Sequence, residues 1–348
     1  MHPIVAEDIA AIIAQPIAWE RFCGKAVLVT GANGFLPAYM VETLLLLNVR
    51  RGLGCRVVGL VRNKAKAERR FAEYLDRPDL SFVVADVAEG IPVEDRCDFI
   101  IHAASQASPK YYGPDPVGTM TANLLGTHHL LRRAHAWRSE GFLLFSSGEV
   151  YGQVNGEQVP TRETDYGYLD ILNPRSCYAE SKRAAETLAV SFAAQFQVPA
   201  VIVRPFHTYG PGLALDDGRV FADLVRDVVQ RRNLVLHSDG RAVRAFCYLA
   251  DAVAGFFTAL LHGESGQAYN VGNPAGALSI RELAELLARL FPELGLQVEY
   301  RARPEAGHLP SPIAVNCPNI DRIAALGWQP RCAPREGFSR TIRSFTEG

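Results

Sequence analysis

No apolar run in this sequence is long enough to cross a bilayer: the longest, such as Leu44 to Leu47, fall far short of the ~20 residues a spanning helix needs. Nor does the start resemble a secretory leader. Its first 24 residues have no basic opening or continuous apolar core, and they include Glu7, Asp8, Glu20 and Arg21. The expectation is a cytoplasmic protein with no membrane partner. An excess of one charge is also missing, with 36 Lys and Arg against 37 Asp and Glu, which argues against nucleic acid as a partner. The seven cysteines, Cys23, Cys55, Cys97, Cys177, Cys247, Cys317 and Cys332, form no Cys-x-x-Cys pair and no metal-ligand spacing. Reduced thiols and no metal follow, and Cys177 reads as a small buried side chain rather than a nucleophile. Internal repeats, low-complexity tracts and long linkers are absent. What remains is a chain 48% hydrophobic and 21% charged, able to bury a sizeable core and build two lobes.

Residues 4 to 22 predict an amphipathic helix pair interrupted near Pro16, covering one side of a sheet. Lys25 to Thr30 reads as a buried parallel strand. It runs into Gly31-Ala-Asn-Gly34-Phe-Leu-Pro37 and then a helical pattern through Leu47. Strand, glycine turn and helix form the arrangement in which backbone N–H groups and a helix N-terminus hold a pyrophosphate. Pro37 stands where the usual fingerprint has its third glycine, so the helix is expected to pack on the sheet somewhat differently.

The second strand, Arg56 to Val61, ends without the acidic residue that would meet a ribose 2'-hydroxyl; Arg62 and Asn63 follow instead. Arg62 suits the 2'-phosphate of NADP, so the cofactor is read as NAD or NADP with NADP favoured, against the alternative of a solvated basic face. Ser81 to Val87 is the third strand, with Asp86 placed to accept from an adenine amino group. Asp98 to His102 is the fourth, and the small residues Ala103, Ala104 and Ser105 after it let a dinucleotide lie close. A helix from Pro116 to Trp137 carries Asn123 and the pair His128-His129, which has no partner at metal spacing.

Gly141 to Ser147 is the fifth strand, and it delivers Ser147 and Glu149 to the carboxyl edge of the sheet, where active sites of open parallel sheets lie. On the next helix Tyr178 and Lys182 are four residues apart, so both side chains share a face. A fixed ammonium beside a phenol is expected to lower the phenol's pKa and let Tyr178 move a proton. Val201 to His207 is the sixth strand. Beyond it the alternation loosens, with helices expected near 219–231, 250–262, 279–291 and 334–346 and short strands near 234–236, 267–271 and 296–300. Arg219 and Arg244 in this second lobe suit a diphosphate.

Taken together, these segments resemble the extended short-chain dehydrogenase/reductases, in particular the NAD(P)-dependent nucleotide-sugar epimerases, dehydratases and decarboxylases. The motifs are Thr30-Gly-Ala-Asn-Gly-Phe-Leu, His102-Ala-Ala-Ser-Gln-Ala-Ser-Pro, Ser146-Ser-Gly-Glu-Val-Tyr-Gly, Tyr178-x-x-x-Lys182, Arg204-Pro-Phe-His-Thr-Tyr-Gly-Pro and Arg244-Ala-Phe-Cys-Tyr-Leu-Ala-Asp. The resemblance implies an α/β fold: a Rossmann-type doubly wound parallel sheet with a smaller C-terminal α+β substrate lobe. The dinucleotide domain is expected at 1–204, with its helical extension at 1–22. The nucleotide-sugar lobe is expected mainly at 205–348, interleaved with parts of 150–180. The resemblance further implies a nucleotide-diphosphate sugar as partner and a homodimer.

By analogy Ser147, Glu149, Tyr178 and Lys182 are the catalytic set. The cofactor would lie against Gly31, Asn33, Gly34, Phe35, Leu36, Arg62, Asp86, Val87, Ala103, Ala104, Ser105, Asn123, Tyr178, Lys182 and Pro205. Ser108, Gly148, His207, Arg219 and Arg244 would meet the substrate. The implied chemistry is removal of the C4 hydroxyl proton by Tyr178 with hydride transfer to nicotinamide, after which the 4-ketone acidifies C5 for Glu149. Within the family the nearest likeness is to UDP-glucuronate decarboxylases. Those resemble one another in a late Arg-Lys-Pro whose arginine serves the substrate carboxylate, and here Asn316-Cys317-Pro318 stands in that place. Its loss disfavours decarboxylation. The usual Asn of Arg-x-Phe-Asn is His207, and a glucose-type dehydratase's Asp-Glu pair is Gly148-Glu149. Epimerase or dehydratase chemistry is therefore the first expectation, decarboxylation the alternative, and a non-catalytic cofactor-binding protein of the same fold the rival from another class.

Overall fold

The computed structural model describes residues 1–301 and 313–347. The chain opens with α1 (Pro3–Ile13), whose Val5, Ile9, Ile12 and Ile13 recur at helical spacing and are buried. After Pro16 only a single 3-10 turn forms, Trp19–Phe22, so the expected helix pair is one helix and one turn. Then come β1 (Ala26–Thr30), α2 (Phe35–Arg51), β2 (Arg56–Val61), α3 (Lys64–Arg70), β3 (Leu80–Val84), β4 (Phe99–His102), α4 (Pro116–Trp137), β5 (Gly141–Phe145), α5 (Cys177–Phe196) and β6 (Ala200–Pro205). The third and fifth strands stop short of their expected ends. Asp86 and Ser147 consequently sit in loops just past the sheet.

The second half continues through β7 (His207–Tyr209), α6 (Val220–Val229), β8 (Leu234–Leu236), β9 (Val243–Tyr248), α7 (Leu249–His262), β10 (Ala268–Val271), β11 (Ala277–Ser279), α8 (Ile280–Leu290), β12 (Val298–Tyr300), β13 (Val315–Asn316), α9 (Asp321–Ala324) and α10 (Pro334–Thr346). Ser279 and Glu282 form a capping box that starts α8, each side chain accepting from the other's N–H at 3.1 and 2.7 Å.

Seven parallel strands make the large sheet in the order β10-β6-β5-β4-β1-β2-β3. This is the doubly wound, Rossmann-type α/β arrangement. All five residues of β1 are buried, as a central strand covered on both faces requires. Val27 and Val29 join one apolar layer with α1, α2 and α7, while Ala26 and Leu28 join the other with α4 and α5. The smaller lobe has β9 at its centre, paired with β7, β11 and β13, and a separate β8–β12 pair.

Within the stretch expected to belong mainly to this lobe, α7 and β10 return to the large layer. The Ala268–Val271 strand pairs with Ile202–Pro205 rather than with lobe strands. Its alternating apolar residues fit either sheet, and the pairing partner lies more than sixty residues upstream, which local pattern cannot reveal.

Candidate active site

At the end of β1 the chain turns on Gly31, whose φ of +64° is a left-handed conformation that favours glycine. A Cβ there would also stand 3.0 Å from the Ala104 Cα, so β4's following loop passes directly against the turn. Gly34 closes the turn by donating to the Gly31 carbonyl at 2.7 Å and stands just before α2. Pro37 falls in the first turn of α2, where N–H groups have no intrahelical acceptor. The missing glycine therefore costs no helical hydrogen bond. Asn33, Phe35 and Leu36 are half-buried around the same opening.

Thr30 clasps this cradle to β4. Its hydroxyl oxygen accepts from the N–H groups of Ala103 (3.2 Å) and Ala104 (3.1 Å), so its hydrogen goes to His102 Nδ1 at 2.9 Å. Burial, with Lys182 adding to it, pushes the His102 pKa down to about 3. His102 Nε2, Ser105 Oγ, Gln106 Oε1 and Asn123 Oδ1 are buried without partners among the described residues. A glycine-lined turn beside unsatisfied polar atoms fits a dinucleotide. Asn123 also donates to Ser181 Oγ at 3.0 Å, which ties α4 to α5. Arg62, largely exposed, lies 3.8 Å from Asp86 Oδ2, and Val87 beside it is buried. Pro205 is half-buried at the end of β6.

Past β5, Ser147 takes the amide of Glu149 on its hydroxyl at 3.1 Å and opens a tight turn, Gly148–Tyr151. Gly148 has the Phe206 ring 3.3 Å from where a Cβ would stand. Tyr178 is buried in the first turn of α5, stacked on Tyr112 with centroids 5.1 Å apart. Its phenol pKa was expected to fall and is instead pushed up to about 12. Burial outweighs the Ser147 hydrogen bond, and Glu149 adds to the rise while Arg219 opposes it. Lys182 is desolvated too, its pKa held down to about 7 by burial against the pull of Glu186. Its ammonium donates to the Phe145 carbonyl at 2.6 Å and lies 5.9 Å from the Tyr178 ring centre.

Glu149 faces Arg175, 3.4 Å from carboxylate to guanidinium. From the lobe, Arg219 is forked onto Asp217, with one bond of 2.9 Å, and Ser108 donates to the Asp217 carbonyl. Arg244 donates to the carbonyls of Val243 (2.8 Å), Ile313 (2.9 Å) and Ala314 (3.2 Å). Burial lowers its pKa, with Arg175 adding and Glu149 opposing. His207 packs against Phe221 and Phe246, and burial, Arg244 and Arg219 hold it well below the usual histidine range, hence neutral. Ser147, Glu149, Tyr178, Arg219 and Arg244 thus lie within electrostatic reach of one another, while Arg62 and Asp86 approach each other past the ends of β2 and β3.

Two residues here were given no role from sequence. Arg175 stands three residues before Tyr178 in Asn173-Pro-Arg-Ser-Cys-Tyr178, a usable signal; Tyr112 gave none. Asn316, in the place of the family arginine, pairs in register with Arg244 and buries an Oδ1 that has no hydrogen-bond partner among the described residues. A cation is still present in that neighbourhood. Arg175 and Arg244 both act on Glu149's surroundings, which weakens the exclusion of a carboxylate substrate drawn from Asn316 alone.

Residues 27–272 match the NAD dependent epimerase/dehydratase family. The chain belongs to this family. Among relatives, UDP-glucuronic acid decarboxylase 1 of Arabidopsis thaliana is 32% identical over 320 residues, 92% of this chain and 69% of the relative. In fold, the epimerase/dehydratase chain resembles the UDP-glucose 4-epimerase of Thermotoga maritima solved with UDP-glucose (TM-score 0.79, 21% identity, 92% and 99% of the two chains). It also resembles the UDP-glucuronic acid 4-epimerase of Bacillus cereus solved with UDP-glucuronic acid and NAD (TM-score 0.77, 20% identity, 92% and 99%). The decarboxylase relatives are enzymes, and this chain is an enzyme rather than a non-catalytic relic.

Proposed function

We propose that this enzyme acts on a nucleotide-diphosphate sugar as an epimerase or dehydratase, with oxidation at C4 followed by proton chemistry at C5. The observation that carries this is the grouping of Tyr178, Glu149 and Ser147, a phenol, a carboxylate and a hydroxyl, within interacting distance of one another past the end of β5 and at the start of α5. Ser147 orients the sugar's C4 hydroxyl, and Tyr178 reacts as the phenolate, its charge met by the Lys182 ammonium, and becomes the phenol on taking the C4 proton. A nicotinamide held by the cofactor surface would supply the hydride acceptor for this oxidation and the hydride donor for its reversal. Glu149, held by Arg175, then removes or returns the C5 proton, which the neighbouring ketone makes acidic. Arg219, Arg244 and Ser108 serve the diphosphate end, and neutral His207 offers a hydrogen bond without adding charge.

A second reading, decarboxylation of a uronate, is supported by the Arabidopsis relative and by the Arg175 and Arg244 guanidiniums, either of which can pair with a sugar carboxylate. The test is incubation of the cofactor-loaded enzyme with UDP-glucose, UDP-glucuronate, dTDP-glucose and GDP-mannose, followed by mass spectrometry and NMR. Loss of water supports dehydration and loss of carbon dioxide the second reading. Unchanged mass with a new sugar spectrum supports epimerisation. No turnover of any sugar by cofactor-loaded protein defeats both.

Gly31, Asn33, Gly34, Phe35, Leu36, Asp86, Val87, Ala103, Ala104, Ser105, Asn123 and Pro205 form the proposed cofactor surface. Arg62, with its guanidinium largely in solvent, favours NADP over NAD; calorimetric titration with each tests the preference. A homodimer is proposed, supported by exposed apolar residues on the outer faces of α4 and α5, Met120, Leu125, Val190 and Phe196; light scattering on the purified protein tests it. No described helix is long and apolar enough to cross a membrane, and a cytoplasmic location is part of the proposal.

A further inference from the structure

Behind the proposed catalytic groups lies a buried ionic network that the reaction itself does not use. Tyr178, Lys182 and Glu186 stand on successive turns of α5, and the last two are a lysine and a glutamate at i and i+4, a spacing that normally pairs. Here they do not pair. Lys182 makes no ion pair among the described residues, because both carboxylate oxygens of Glu186 are taken by the Arg204 fork, Nε to Oε1 at 2.9 Å and Nη2 to Oε2 at 2.6 Å. Ser146 donates to the same carboxylate.

Arg204 is almost fully buried on β6 and has its third nitrogen fixed as well, donating to the Tyr151 hydroxyl and the Glu163 carbonyl, each at 2.9 Å. The guanidinium also lies 4.8 Å from the centre of the Tyr151 ring. Tyr151 in turn donates to Asn270 Oδ1, and the Asn270 amide nitrogen donates to the carbonyls of Thr161 and Asn319 at 2.9 Å. Every donor of the fork is therefore aimed by a neighbour that is itself held. A lysine in its place could not offer two parallel bonds.

We propose that Arg204 is a positioning residue that keeps Glu186 away from Lys182, so that the ammonium remains available to Tyr178 instead of collapsing into an ion pair one turn along its own helix. This rests on the reading of Tyr178 and Lys182 as the redox pair. The charged and titratable groups around Lys182 are Tyr178 and Glu186 on its own helix, His102 on β4, Arg204 on β6 and Glu149 in the turn after β5, acting through Tyr178. Of these only Glu186 can capture the ammonium within the helix.

The test follows Lys182 directly. The sequence has five lysines, Lys25, Lys64, Lys66, Lys110 and Lys182, so the methylene next to each ammonium can be resolved by NMR in lysine-labelled protein. Loss of a signal in Lys182→Arg assigns it. In Arg204→Met, Glu186 is released and the Lys182 titration is expected to rise by about one pH unit or more. In Glu186→Leu/Arg204→Met, where no carboxylate remains, it should return to the native midpoint or below. Arg204→Lys, which keeps the charge but not the fork, should give a smaller rise and covers the case in which Arg204→Met does not fold.

In parallel, reduced-cofactor absorbance on adding UDP-glucose or UDP-glucuronate should fall at least tenfold in Arg204→Met and recover in part in the double variant. A purely structural role predicts that the double variant is no better than the single. An unmoved Lys182 titration in Arg204→Met or Arg204→Lys, or a double variant that titrates with the single, overturns the proposal. Native enzyme that reduces no cofactor with any sugar nucleotide counts against the functional reading alone, since the titration is read without substrate.

Discussion

At the residue scale, the same burial acts in opposite senses on Tyr178 and Lys182, the two partners of the proposed redox pair. Tyr178 is raised to about 12 and Lys182 lowered to about 7, because each resists the charged form in a desolvated site. The sequence spacing correctly brings the two onto one face but says nothing of solvent, which is why the direction of the phenol shift was misread. Removing only the phenolic oxygen, in Tyr178→Phe, is expected to lower kcat by ~10²–10⁴-fold, the usual worth of a general acid–base group, while the cofactor is still retained. Stopped-flow absorbance of the reduced cofactor measures this. His102 makes a different prediction. Its folded pKa of about 3 lies below the ordinary 6.5, so below that value the unfolded chain binds a proton the folded one refuses. Stability from this group is complete above pH 6.5 and falls by about 1.4 kcal/mol per pH unit toward pH 3. Urea denaturation at pH 7 and pH 5 should show a smaller loss in His102→Gln than in the native protein.

At the element scale, the turn between β1 and α2 combines a left-handed residue with a backbone neighbour at the limit of contact. Gly31→Ala is expected to cost about 1–2 kcal/mol from the backbone conformation alone. The added Cβ, 3.0 Å from Ala104, would further push the β4 loop outward and weaken dinucleotide binding. Thermal melting and cofactor calorimetry read the two effects separately. This element was legible in the sequence because glycines and an apolar strand have local signatures. So was α5, from its tyrosine, lysine and apolar spacing. Tyr112 was not legible, since nothing local marks a tyrosine on one loop as the stacking partner of another 66 residues away. The forked pair Arg204–Glu186 escaped notice for the same reason, although Arg204 opens a recognisable motif and Glu186 lies one turn past Lys182.

At the scale of the whole molecule, the ends of the chain are bound to each other and to both lobes. Asp8 on α1 accepts from Tyr39 on α2 (3.3 Å), Tyr248 on β9 (2.8 Å) and Arg340 on α10 (2.8 Å). Trp19 and Phe22 are fully buried beside Phe257 and Phe99. Removing residues 1–22 strips apolar cover from the large sheet and leaves Arg340 without its buried acceptor. The expected outcome is insoluble protein, or a lower melting temperature in any soluble fraction, read by pelleting and calorimetry. The covering role of this segment was legible from its isoleucines, but its bond to the far end of the chain was not.

The position of β10 has a consequence for how the protein is made. During synthesis β6 emerges as the outermost strand, its free edge carrying unpaired N–H and C=O groups open to other nascent chains. Its permanent neighbour is not translated until residue 271, after most of the lobe's first strands and helices. The sheet is sealed late, by a segment that arrives only once the ribosome has passed β9, so the large sheet is completed only after the central strand of the smaller lobe has been made.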